Sequence, residues 1–227
     1  MYELIIANKN YSSWSLRPWA LMRELKVPFT ERLLMFGDER PWEAFRRQCP
    51  SGKVPCLIDG ATTVWESLAI VEYLAERHDG VWPANPLARA WARSASAEMH
   101  AGFSELRNRC SMSCGVRVQL LESPAALDQD VARISALWND GLARFGGPFL
   151  AGPAFTGVDA FFAPVAFRVQ TYGLRLEADA AAYSKRLLAT SSMQAWYADA
   201  LKEKFREPAH EADMLQAGRL LSDHRER

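Results

Sequence analysis

Lys53-Val54-Pro55-Cys56-Leu57-Ile58-Asp59-Gly60-Ala61-Thr62-Thr63-Val64-Trp65-Glu66-Ser67 is the stretch that decides the fold. Pro55 to Ile58 is a short strand, and Asp59-Gly60 is a hairpin-turn pair that supplies the positive φ such turns need. Thr62 to Trp65 is the returning strand. Glu66 to His78 then predicts a helix, because Ser67, Ile70, Val71 and Leu74 recur at i, i+3, i+4 and i+7. Upstream, Cys49-Pro50-Ser51-Gly52 is a breaker cluster after a short predicted helix, Pro41 to Gln48.

Further toward the N-terminus, Tyr2 to Ala7 is an apolar run of strand length, followed by the polar loop Asn8 to Tyr11. A helix is expected to start in the Ser12–Ser15 cluster, with Pro18 in its first turn, where a missing N–H costs nothing. Phe29 to Met35 predicts a second strand. Downstream, Gly80 to Asn85 reads as a linker. Beyond Pro86 no convincing strand is expected: Ala92, Ala95, Met99, Phe103, Leu106 and Cys110 form a helical seam, and Pro124 to Phe145 is helical. Thr156 and Asp159 stand as N-cap and N3 of a helix whose residues Ala160 to Val169 are apolar on nearly every side, so it is expected at the middle of its domain. The charged last twenty residues are expected to fray. The order β-α-β, short helix, β-β-α, then helices alone, predicts α/β plus all-α in two units, 1–80 and 86–227.

Composition narrows the function. Lys plus Arg equals Asp plus Glu at 27 each, and no basic stripe interleaves with aromatics, so nucleic-acid binding is disfavoured. No apolar run reaches the roughly 18 residues of a membrane span, and Met1 to Asn8 lacks a signal-peptide pattern. Cys49, Cys56, Cys110 and Cys114 without a secretory signal suit a reducing cytoplasm better than a disulfide framework.

Three motifs in order carry a resemblance. They are Ser12-Ser13-Trp14-Ser15-Leu16-Arg17 after the first strand, Lys53-Val54-Pro55-Cys56-Leu57 before the third, and Glu66-Ser67-Leu68-Ala69-Ile70-Val71-Glu72-Tyr73-Leu74 after the fourth. Each alone is weak, but together they resemble the cytosolic glutathione S-transferase family over the whole chain, with a serine-type N-terminal motif like that of the zeta and theta classes. The resemblance implies a thioredoxin-like glutathione-binding domain over 1–80. An all-helical domain carrying the electrophile-binding wall would follow over 86–227.

What it implies for single residues sits beside a plainer reading of each. Val54-Pro55 could be an ordinary trans bond; the resemblance implies cis, with the N–H and C=O of Val54 pairing with the cysteinyl peptide of glutathione like an added strand. Glu66-Ser67 could simply cap a helix; the resemblance has Ser67 grip the γ-glutamyl carboxylate at the helix N-terminus and Glu66 meet the ammonium. Ser12 and Ser13 could be N-caps; in the family a serine hydroxyl donates to the sulfur and favours thiolate. The zeta motif points to Ser12, the preferred donor, the delta and theta spacing counted back from Arg17 points to Ser13, and Tyr11 is a third possible donor. Lys53 could reach a glutathione carboxylate or be a solvated lysine.

Trp14 stands where zeta, beta and omega relatives carry cysteine, which disfavours mixed-disulfide chemistry. The zeta class's substrate-binding arginine has no counterpart in register, Arg168 lying nearby but offset. Arg107, Cys110 and Cys114 are expected to border the electrophile pocket; Cys110 and Cys114 read as two small buried thiols rather than metal ligands. His78, His100, His210 and His224 fit no catalytic or metal spacing and read as surface or capping residues.

The implied activity is a detoxifying glutathione transferase that takes glutathione as co-substrate, uses no metal and works as a cytoplasmic homodimer on a small hydrophobic electrophile. The alternatives are a glutathione-dependent isomerase or dehalogenase, as in maleylacetoacetate isomerase, and a non-catalytic glutathione-binding interaction module.

Overall fold

The computed structural model describes residues 1–37 and 39–226. Its first half is a four-stranded sheet built from β1 (Tyr2–Ala7), β2 (Phe29–Leu34), β3 (Cys56–Asp59) and β4 (Thr62–Trp65) in the order β2-β1-β3-β4. β1 and β2 are parallel, joined by the crossover helix α1 (Ser13–Glu24), whereas β3 runs antiparallel to β1 and pairs with β4 through the Asp59-Gly60 turn. α2 (Glu39–Arg46) precedes the Cys49–Gly52 breaker, and α3 (Ser67–Ala75) follows β4. Leu4 and Ile6 pack with Leu16, Ile70 and Leu74, while Ile5 and Ala7, pointing the other way, meet Trp42 and Phe45. That alternation is the period-2 signature of a strand covered on both faces.

The second half is α4 (Pro86–Ala101), α5 (Ser104–Arg109), β5 (Val116–Leu120), α6 (Ala125–Phe145), α7 (Gly157–Tyr172), α8 (Ala178–Leu188), α9 (Ser191–Lys202), α10 (Pro208–Ala217) and β6 (Gly218–Asp223). α7 is the spine: every residue from Gly157 to Arg168 is buried, and the helix packs against α1, α4 and α8. The whole is a glutathione-transferase fold, a thioredoxin-like sheet domain followed by a helical domain.

Four expectations are corrected. Pro18 lies in the second turn of α1 rather than the first. The seam through Cys110 is not one helix, because Phe103 adopts a left-handed φ of 56° between α4 and α5, and Cys110 stands after the end of α5. Strands exist beyond Pro86: Val116, Val118 and Leu120 alternate along β5 and pair antiparallel with β6, about a hundred residues downstream in the chain. The C-terminal segment is ordered into α10 and β6. Arg225 is buried there, its guanidinium in ion pairs with Glu211 and Asp223 at 2.6 and 2.8 Å. The Gly80–Asn85 stretch has no regular element but is packed: Val81 and Trp82 are buried, and the Val81 carbonyl accepts from Gly157 N–H at 2.7 Å.

Gly141 is inside α6, where glycine ordinarily costs about 1 kcal/mol relative to alanine. Its place follows from packing. A methyl there would sit 2.4 Å from the Trp91 ring and 2.6 Å from the Leu150 carbonyl oxygen. A backbone carbonyl has little room to give, so Gly141→Ala is expected to destabilise by about 1–3 kcal/mol despite the better helix propensity. A rise in Tm on thermal denaturation would contradict this.

Candidate functional site

Residues from both halves converge on a cavity of about 550 Å³, within the size range of small-molecule sites. A larger groove of about 850 Å³ lies along the linker from Gly80 to Asn85, but the serine hydroxyls and the Lys53–Val54 stretch open into the smaller one.

The loop from Asn8 to Ser12 delivers the hydroxyls, and the helical half clamps it. Glu203, just after α9, accepts from the backbone N–H groups of Lys9 and Asn10 at 2.6 and 3.1 Å. Trp196 Nε1 donates to the Lys9 carbonyl at 2.8 Å. Ser12 then enters α1 as its N-cap position, with its hydroxyl donating to Ser15 Oγ at 2.7 Å. Ser13 is the first helical residue, half-buried on the cavity wall, and among the described residues its hydroxyl has no hydrogen-bond partner. The two serines therefore differ: one hydroxyl is engaged and the other is free.

Tyr11 lines the same cavity. Its phenol donates to Glu211 Oε1 at 2.8 Å and accepts from Arg225 at 3.1 Å. Burial, then the bond to Glu211, holds the phenol well above its ordinary pKa. Tyr11 is thus tied to the C-terminal segment. Trp14 is half-buried beside it, with the guanidinium of Arg17 4.1 Å and that of Arg107 5.5 Å from its ring. These are cation–π distances.

Val54 and the exposed Lys53 also line the cavity, and the Val54-Pro55 bond is cis. The preceding loop is held by Ser51 Oγ, which accepts from Lys53 N–H at 3.2 Å. Glu66 and Ser67 are not in the cavity lining. Glu66, at φ 78°, caps α3 with its own carboxylate, accepting from Leu68 N–H at 2.8 Å and from the Ser67 hydroxyl at 3.2 Å. Ser67 is fully buried and also accepts from Arg17 at 3.4 Å. The α3 mouth is therefore filled by a half-exposed carboxylate that a competing anion has to displace.

Of the three residues expected at the electrophile pocket, Arg107 is in the cavity lining and Cys110 and Cys114 are not. Both thiols are fully buried, and burial pushes Cys110 up to about 12 and Cys114 higher still. Cys114 bonds the Lys9 carbonyl instead, at 3.5 Å. Among the described residues, no group of three or more His, Cys, Asp or Glu could hold a metal ion.

Sequence reasoning missed Arg168, Ser111 and Asp213 in the lining. It read His210 as a surface or capping residue, with no place in the cavity. His210 in fact stacks on Phe36 and tilts over Tyr11, centroids 5.6 and 5.0 Å apart, with Nδ1 2.7 Å from Glu207. A lone arginine in the apolar run 160–169 was a usable signal for the first. For His210 there was none, since its place depends on β5–β6 pairing.

Comparison with known proteins agrees with the fold. Residues 11–77 match the family model described as glutathione S-transferase, N-terminal domain, and residues 117–202 match glutathione S-transferase, C-terminal domain. The chain is 44% identical over 61 residues to dichloromethane dehalogenase of Methylorubrum extorquens, a match covering 26% of this chain and 21% of that protein. It thus spans only about a fifth of that relative's length. It is 28% identical over 162 residues to the glutathione S-transferase-like protein OpS6 of Beauveria bassiana, covering 65% of this chain and 72% of that one. Among solved structures, a glutathione transferase homolog from Burkholderia with bound glutathione superposes with a TM-score of 0.64 at 20% identity, covering 88% of this chain and 97% of the other.

Proposed function

The chain belongs to the glutathione S-transferase family, and on that premise we propose that it activates the thiol of glutathione for attack on a small electrophile. The observation that carries this reading is the free Ser13 hydroxyl at the start of α1, opening into the same cavity as Val54. A donor there, beside a helix N-terminus, favours thiolate over thiol. The thiol proton goes to solvent, the sulfur forms a bond to an electrophilic carbon, and the leaving group departs with its electron pair. Val54 pairs with the cysteinyl peptide, and Lys53 faces a glutathione carboxylate. The γ-glutamyl end takes the α3 mouth at Ser67 once the half-exposed Glu66 swings from its cap to the ammonium. Ser12 shapes the turn through Ser15 rather than touching sulfur.

The reading includes a cytoplasmic homodimer acting in detoxification. Four unpaired, buried cysteines fit a reducing compartment. Light scattering is expected to give about twice the 25.5 kDa of one chain.

Calorimetry with glutathione and with S-methylglutathione tests the core of the proposal. Glutathione is expected to bind more tightly, and to release a proton that S-methylglutathione cannot. No binding of either ends the reading; equal binding without proton release leaves a non-catalytic module. The matched dehalogenase segment lies in one part of the chain, so product analysis across halogenated and isomerisable substrates separates conjugation from net dehalogenation or isomerisation.

A further inference from the structure

Charge around the cavity is one-sided. Lys53, Arg107 and Arg168 line it, against a single carboxylate among the described residues, Asp213. Arg168, on α7, is 5% exposed. Its Nε donates to the Cys110 carbonyl at 2.7 Å, and among the described residues its terminal nitrogens have no hydrogen-bond partner and no carboxylate in ion-pair range. Arg107 spends one nitrogen on the His100 carbonyl at 2.9 Å.

Behind Trp14, Arg17 is 2% exposed, with its Nε unpartnered. Burial, then Arg168, lowers Arg17 to about 9, with Glu66 opposing and Arg107 adding. Burial also lowers Arg168, to about 10. Buried guanidinium groups with unspent donors are costly unless an anion answers them. Structural arginines are normally paired off within the protein. Here the unspent donors belong to a residue in the cavity wall.

We propose that Arg168 and Arg107 form a carboxylate subsite for the second substrate, so that the favoured electrophile is a small acid rather than a neutral apolar molecule. The planar fork of Arg168 suits a carboxylate gripped by two nitrogens. Arg107 supplies a second donor, and Trp14, in the same lining, supplies apolar surface beside the body of the molecule. Arg17 is a positioning residue that adds field without touching the ligand. The assignment rests on the glutathione reading above, but its binding test does not require turnover.

The probes are 4-methylbenzoate and 4-methylbenzamide, titrated by calorimetry into protein saturated with S-methylglutathione. The matched chlorides, 4-(chloromethyl)benzoate and 4-(chloromethyl)benzamide, then report turnover: the carbon–sulfur bond forms as chloride leaves with the carbon–chlorine pair. Benzoate is expected to bind about 10- to 100-fold more tightly than the amide, the range for hydrogen bonds to a charged group. Arg107→Gln and Arg168→Gln are each expected to shrink that ratio to about threefold or less. Arg168 is buried, so melting curves accompany its variant, and the half-buried Arg107 provides an independent one.

Equal binding of acid and amide by the unmodified protein overturns the subsite and leaves the transferase reading standing. A variant that loses S-methylglutathione affinity but keeps the acid preference overturns it too, assigning the cluster to glutathione's own carboxylate. A strong acid preference with neither chloride conjugated keeps the subsite and sinks the transferase reading instead.

Discussion

Ser13→Ala is expected to raise the pKa of the glutathione thiol in the binary complex by about 1–2 units and to slow conjugation near neutral pH by about 10- to 100-fold. The size follows from the bond being removed. A hydroxyl donating to a charged acceptor contributes about 1.5–3 kcal/mol, and one pKa unit is about 1.4 kcal/mol. Because the bond is made to thiolate and not to thiol, its loss falls on the reactive form, and the rate at fixed pH falls with the thiolate fraction. Ser12→Ala is expected to act differently. Its hydroxyl is committed to Ser15 Oγ, which also accepts from Ala7 N–H at 3.3 Å, so the variant loosens the turn and costs about 1 kcal/mol of stability with a smaller thiol shift. Titration of bound glutathione by thiolate absorbance reads both variants. The reverse pattern makes Ser12 the donor; no shift in either removes serine from the chemistry.

The difference between the two serines was not legible in the sequence, where both stand before a helix and either could cap it. Local signals were strong where partners are close in the chain. The Thr62–Trp65 strand, the Asp59-Gly60 turn and the Glu66 cap all lie within one short stretch, and each is placed as its pattern predicts. Signals failed where the partner is far away. β5 has three alternating apolar residues but pairs with Gly218–Asp223, and no local periodicity announces a strand that distant. Arg225 has its ion-pair partners Glu211 and Asp223 nearby in the chain, but its burial arises only where the segment folds back onto Tyr11, more than two hundred residues away. A run of charge thus read as a fraying tail became a cavity wall. Tyr11, a plausible donor by position, is drawn off by that tail. Cys110 and Cys114 are another case: a helix through both would put them on one face, but α5 ends at Arg109, so Cys110 is its C-cap and Cys114 lies beyond it in no helix.

Asp159→Ala is expected to destabilise the fold by about 3–5 kcal/mol, which for a chain of this size lowers Tm by roughly 10 °C. The carboxylate is fully buried where α7 begins. One oxygen accepts from Leu150 N–H at 3.0 Å and the Tyr183 hydroxyl at 2.8 Å; the other accepts from Thr156 N–H at 2.9 Å and its hydroxyl at 3.3 Å. Alanine leaves several buried donors without an acceptor, each costing about 1–3 kcal/mol, while the methyl fills little of the vacated space. The pH dependence adds a second check. Burial outweighs the four donors and raises Asp159 from 3.8 to about 6. The native state therefore holds this proton more tightly than the unfolded chain does. Asp159 contributes most below about pH 4, and that part is lost as pH rises through about 6. The stability gap between the unmodified protein and Asp159→Ala is accordingly expected to narrow as pH rises across this window; a gap that widens places the native carboxyl below its unfolded value. The consequence reaches the cavity, because α7 carries Arg168 and packs against α1, which starts at Ser13. An N-terminal turn of α7 that loses its anchor loosens the frame holding a guanidinium and a hydroxyl at one site, so conjugation in the variant is expected to weaken even below its lowered Tm.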